Sequence, residues 1–154
     1  MILLILNSCS TGPQKLATGN QFEGWACNQA NPAAVCNPGE KPEFFYYTYT
    51  TAPEQLNVSS DEKILECITS SEKQLKEDPV KLLSKVFEKS SGVADGILIA
   101  SKFLKKYGVF VKQHNLVGCR LESHDRDLCE CYGFLHYSEG KRHFEGVITK
   151  IEKE

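Results

Sequence analysis

Seven cysteines, Cys9, Cys27, Cys36, Cys67, Cys119, Cys129 and Cys131, are the residues of this chain best equipped for chemistry. Reducing compartments rarely keep so many thiols in 154 residues unless a metal or a reaction employs them. With Cys9 set aside, six remain, the even number that three disulfides need. Cys129 and Cys131 stand two apart on an expected strand, so their side chains share a face. If the hairpin turns near His124, Cys119 lies opposite Cys129, and Cys131 is left for Cys67 on a helix above the sheet. The expected pairs are therefore 27–36, 119–129 and 67–131, with 119–131 and 67–129 as the exchanged alternative. A bridge from Cys27 to Cys36 closes a short loop that has few other means of ordering itself.

Two other chemistries compete for these residues. Cys129, Cys131, His124 and His136 could gather zinc, but structural zinc sites favour wider cysteine pairs such as C-x-x-C, and C-x-C on a strand fits less well. A redox pair would need a helix N-terminus after it to lower a thiol's pKa, and none is expected there. Disulfides are the expectation, with no metal and no cofactor. The histidines, His114, His124, His136 and His143, accompany no G-x-S-x-G, H-E-x-x-H, P-loop or G-x-G-x-x-G motif. They read as solvated surface residues, and no catalytic residue is assigned.

Cys9 belongs to a different pattern. Met1 to Leu6 are apolar and lead into Leu6-Asn7-Ser8-Cys9, which resembles a bacterial lipobox: a leucine at −3, a small residue at the cleavage point, then the cysteine. The thiol is needed for a diacylglycerol thioether, and the small residue for the peptidase. The apolar stretch is shorter than the ~7–15 residues of a signal h-region, and no Lys or Arg precedes it, so the natural start is expected upstream. Residues 1–8 then read as a signal-peptide remnant, and 9–20 as a polar, lipidated tether. Residues 21–154 read as one domain.

The elements that must position the cysteines follow from pattern. Glu43 to Thr51 is dense in aromatic and β-branched residues and reads as a strand packed on both sides. Ser59 and Glu62 stand at capping-box spacing and open a helix carrying Ile64, Cys67 or Ile68, Ser71 and Leu75. Asp78-Pro79 opens a second helix, with Val80, Leu83, Val86 and Phe87 inward, which Ser90-Ser91-Gly92 breaks. A third helix places Val93, Ile97, Ala100 and Leu104 on one face and stops at Gly108. Val109–Leu121 and Asp127–Tyr137 form a hairpin, and a last helix from Ser138 carries Phe144, Val147, Ile148 and Ile151. The fold class is α+β: a small antiparallel three-stranded sheet packed with helices, in the order β-α-α-α-β-β-α. The lone Trp25 is expected to plug the N-terminal segment onto the core.

A net charge of −2 provides no basic field for nucleic acid or anionic lipid, so no nucleic-acid partner is expected. No stretch reaches the ~18 apolar residues that span a bilayer, so any membrane contact runs through acyl chains on Cys9.

With these features in place, the chain resembles the small surface lipoproteins of leptospires, and among them most of all an abundant outer-membrane member that associates with peptidoglycan. The resemblance is carried by Phe22-Glu23-Gly24-Trp25, the aromatic strand around Tyr46-Tyr47, Cys67 in mid-helix and Ser91-Gly92-Val93-Ala94-Asp95-Gly96. Cys119 at a strand end, and Cys129-Glu130-Cys131-Tyr132 before a helix, complete it. These are short matches scattered over residues 21–150, and the Cys27–Cys36 loop is an addition. The chain also resembles a broader group of envelope lipoproteins with an α+β sandwich. The resemblance implies a lipid-anchored outer-membrane lipoprotein without enzymatic activity, structural or adhesive, contacting peptidoglycan or host molecules. The alternative is a periplasmic binding or assembly factor for an envelope or flagellar complex, with the aromatic strand or the hairpin as its docking edge.

Overall fold

In a computed structural model of the chain, residues 12–17 and 19–154 are described. Nine regular elements follow in order: β1 (Gln14–Lys15), β2 (Gly24–Ala26), β3 (Phe44–Thr51), α1 (Ser60–Glu77), α2 (Pro79–Ser91), α3 (Gly96–Tyr107), β4 (Val111–Leu121), β5 (Cys129–Tyr137) and α4 (Gly140–Glu152). A single 3-10 turn, Gly108–Phe110, leads into β4.

The α+β class expected from the sequence is what the chain adopts, but the sheet has five strands rather than three, in the order β1-β4-β5-β3-β2. The central trio is antiparallel, as expected. The additions sit at the edges: β2 pairs antiparallel with β3 through Gly24–Ala26, and β1 pairs parallel with β4 through Gln14 and Lys15. Elements of two or three residues carry no readable periodicity, because their strand state comes from the neighbour they bond rather than from their own side chains. Gly118 makes the β1 contact possible, since a Cβ there would lie 2.0 Å from the Gln14 carbonyl oxygen. The segment read as a tether thus contains a strand of the sheet. Leu16 continues it by donating its amide to Cys119 O at 2.9 Å.

Alternation along β3 divides the aromatic run between two apolar layers. Phe45, Tyr47 and Tyr49 face the helices and join the main core of Ile64, Cys67, Leu82, Leu83, Val86, Phe87, Phe103, Leu135, Tyr137, Phe144, Ile148 and Ile151. Phe44 and Tyr46 face the other way and meet Tyr132, Phe134 and Ala26, covered by Leu16 and Phe22 from the N-terminal segment. That segment is bonded down. Arg120 donates to the carbonyls of Ala17 and Gly19, at 2.8 and 2.5 Å, and the Tyr132 hydroxyl donates to Phe22 O at 2.7 Å. Trp25 packs against the rings of Phe45 and Phe144, as its expected plugging role requires.

The first two helices start where their caps predict. Ser59 and Glu62 form the reciprocal capping box, and Asp78 accepts from the Lys81 amide with Pro79 in the first turn. The expected inward faces of α1 and α4 are the observed ones. In α3 the expectation holds for Val93, Ala100 and Leu104, which join or pack against the core, and fails for Ile97. Asp95 caps the helix at Leu98, so Val93 precedes it, and the buried face is Gly96, Ile99, Ala100 and Phe103, with Ile97 61% exposed. The ring of Phe103, packed edge-on or tilted among Phe87, Tyr137 and Phe144, sets that rotation.

All six cysteines expected to pair do so, but in the exchanged connectivity: Cys27–Cys36, Cys67–Cys129 and Cys119–Cys131. The preferred pairs, 119–129 and 67–131, assumed a turn centred at His124. The turn instead closes with the Glu122 amide on Leu128 O at 2.9 Å, which centres it on Asp125. Moving an antiparallel turn by one residue moves every cross-strand partner by two. Cys119 therefore faces Cys131, and Cys129 sits opposite Leu121 at the end of the hairpin, where α1 delivers Cys67. Because Cys67–Cys129 closes a 62-residue span and Cys27–Cys36 closes 9, the chain-entropy argument makes the first worth ~4 kcal/mol and the second ~2.5 kcal/mol. Urea unfolding of the Cys67→Ala/Cys129→Ala and Cys27→Ala/Cys36→Ala double variants should show the larger loss in the first.

Candidate functional site

Of the residues expected to carry function, Cys9 lies outside the described residues. The other six cysteines do not form one centre. Cys67, Cys119, Cys129 and Cys131 are fully buried, and the neighbours Cys129 and Cys131 belong to different bridges, so they offer no shared pair of thiols to a metal or a substrate. The Cys27–Cys36 loop stands apart at the surface. Among the described residues no group of three or more His, Cys, Asp or Glu side chains gathers at metal-binding distance. No described helix is long and apolar enough to cross a membrane.

The histidines are not uniformly solvated, as the sequence reading had them. Only His124, in the hairpin turn, is exposed. His136 stacks on Phe44 with centroids 4.4 Å apart and approaches Glu43 at 3.9 Å. The Nδ1 of His143 is 2.8 Å from the Tyr137 hydroxyl. His114 is the most altered. Strand alternation turns it toward the helices, where its Nε2 shares a hydrogen bond with the hydroxyl of the buried Tyr47. Burial pushes its pKa down from 6.5 to about 4, and burial, aided by the neighbouring Tyr49, holds the Tyr47 phenol well above its ordinary value. Two neutral groups therefore face each other at physiological pH. Glu72, Leu75 and Lys76 of α1 and Asn115 of β4 join His114 around a cleft of about 440 Å³.

A cleft of about 520 Å³ opens between β3 and α2, lined by Thr48, Tyr49, Thr50, Lys85, Glu88, Lys89, Glu122 and Glu130. Its acids are largely committed. Glu130 accepts from Arg120 Nε and Nη2 at 3.2 and 3.1 Å, and Glu122 accepts the amides of His124 and Asp125 at 3.0 and 3.1 Å. Lys85 sits 5.1 Å above the Tyr49 ring, and partial burial lowers its pKa, with Lys81 adding like-charge repulsion against the pull of Glu88. Beside it, β2 covers the outer edge of β3 only from Phe44 to Tyr46. Beyond that point Glu23 takes over. Its carboxylate accepts from the Thr48 amide at 2.8 Å and the Thr48 hydroxyl at 2.5 Å, and Lys89 stands 3.7 Å away. Burial raises the Glu23 carboxyl, but Thr48 and Lys89 together outweigh it and hold it below its ordinary value.

The sequence signalled the six paired cysteines and the aromatic strand, but neither cleft, because both depend on where edge strands stop. Thr48, Lys85 and Lys89 carry no motif. Comparisons of the chain with protein-family models, with curated proteins and with solved structures gave no match in any of the three.

The His114 geometry sets a pH dependence. Its folded pKa lies below its unfolded value, so below pH 6.5 the unfolded chain takes up a proton that the folded one refuses. The stability it contributes is complete above that pH and drains as pH falls toward 4. Urea unfolding should show about 2 kcal/mol less stability at pH 5 than at pH 7, a window above that of the acids with lowered values. His114→Gln should flatten that difference.

Proposed function

We propose that this chain is a lipid-anchored, non-enzymatic protein of a bacterial outer membrane that acts by contact, in a structural or adhesive role toward peptidoglycan or host molecules. The observation that carries the reading is the pairing of every cysteine after Cys9. Three disulfides suit an oxidising compartment. They leave Cys9 as the one thiol without a partner in that scheme, at the acylation position of a lipobox-like sequence. The resemblance to small leptospiral surface lipoproteins points the same way. Acyl chains on Cys9 then supply membrane attachment, and one chain alone gives only marginal, reversible binding, so multiple acylation is the expected form.

A second reading, a periplasmic binding or assembly factor, is favoured by the uncovered stretch of the β3 edge. Pull-down with purified peptidoglycan against pull-down with envelope proteins separates the two.

Intact-mass spectrometry of the protein from its native membrane tests the anchor. The expected mass starts at Cys9, carries acyl chains, and gains the mass of about six hydrogens on reduction, two for each disulfide. An unacylated chain, or one that partitions into the aqueous phase of a detergent extraction, overturns the reading.

A further inference from the structure

We propose that the outer edge of β3 from Thr48 to Thr51, with the cleft it forms against α2, seats an extended acidic segment of a partner protein. This segment adds as a strand and displaces Glu23. The inference rests on the reading of a protein that acts by contact, but not on the anchor. A native mass without acyl chains leaves it standing, and failed peptide binding leaves the anchor standing.

The edge has the properties of an interrupted sheet. A strand has hydrogen-bonding groups on both sides, and an uncovered side is a template for another strand. β5 covers one side of β3 along its whole length, Phe44 to Thr51, whereas β2 covers the other only to Tyr46. The chain leaves the edge at Gly24, whose φ of 122° lies in a region that side-chain-bearing residues rarely adopt, so Glu23 swings clear as backbone and returns only as side chain. Its carboxylate oxygen on the Thr48 amide occupies the place that a neighbouring strand's carbonyl would take. A carboxylate is an imperfect substitute: it meets one amide, and Thr50 beyond it is exposed, with no bond of that kind among the described residues.

Charge selects the occupant. Lys89 already faces a carboxylate, that of Glu23, and Lys85 has no ion-pair partner among the described residues. Two acids of the same cleft, Glu122 and Glu130, are held by backbone amides and by Arg120. The third, Glu88, draws on Lys85 without forming an ion pair with it, so displacing Glu23 from Lys89 leaves two lysines facing one uncommitted carboxylate, a positive surplus beside the edge. An incoming strand running antiparallel to β3 as β2 does would give its carbonyl to Thr48, and its acidic side chains to Lys89 and Lys85.

The test is a fluorescence-anisotropy titration of the oxidised protein with a short dye-labelled peptide of alternating valine and glutamate. The matched valine-lysine peptide serves as control. The acidic peptide should bind and the basic one should not. Glu23→Ala, which vacates the edge, should tighten binding by about fivefold or more, and Lys85→Glu with Lys89→Glu should weaken it by about tenfold. Thr48→Pro removes the edge amide without touching the β5 ladder, since that amide points to Glu23, and it should abolish binding. Hydrogen exchange at Thr50 should slow on adding peptide. Equal binding of both peptides, or no gain from Glu23→Ala, overturns the proposal. So does peptide-free dimerisation strengthened by Glu23→Ala, which would assign the edge to a second copy of the chain.

Discussion

The backbone bond from the Glu122 amide to Leu128 O closes the β4–β5 hairpin on Asp125, and the rest of the molecule is arranged around that register. Set there, Cys119 meets Cys131 across the strands and Cys129 is delivered to the end of the sheet, where Cys67 reaches it from α1. The same register puts Leu135 and Tyr137 under the helices and Tyr132 and Phe134 on the opposite face. A slip of one residue would exchange those two sets, burying the outer ones against the helices and exposing the core. The turn is reinforced by its own side chains: Glu122 accepts two amides, Asp125 accepts from Asp127, and Lys63 of α1 pairs with Asp127 at 3.0 Å. Helix, turn and bridge thus lock one another.

The outer face shows how a small sheet covers its second side without a second layer of helices. An antiparallel sheet commonly leaves one face to water, yet here β3 and β5 present Phe44, Tyr46, Tyr132 and Phe134 to it. Left open, that surface would be an aggregation hazard. The N-terminal segment covers it instead, with Leu16 and Phe22 on the rings and its carbonyls held by Arg120 and Tyr132. The tyrosine hydroxyls spend their polarity on backbone: Tyr132 on Phe22 O, and Tyr46 on Gln29 O. Among the described residues, the one buried side-chain polar atom left without a partner is the Trp25 indole nitrogen.

What was legible in the sequence was what acts locally. The capping box at Ser59, the Asp78-Pro79 junction and the apolar faces of α1 and α4 are written in spacing alone. The aromatic run of β3 announced a strand buried on both faces, and it is one. What escaped was decided by distant partners. β1 and β2 are strands because β4 and β3 bond them. The face of α3 turned on where Phe103 found other rings. The disulfide connectivity hung on a single residue's placement of a polar turn, in a stretch where Ser123, His124, Asp125, Arg126 and Asp127 give no strong preference. The clefts were invisible for the same reason, as each begins where an edge strand ends.

The parallel pairing of Gln14 with Gly118 also fixes how far the folded body can stand from anything attached at Cys9. Five peptide units separate the two residues, and a fully stretched chain spans at most about 3.5 Å per unit, hence roughly 17 Å. A domain of this size has a radius of gyration of about 14 Å. Whatever Cys9 carries is therefore held within little more than one such radius of the β1–β4 side of the sheet, and the uncovered stretch of β3 lies at the opposite side.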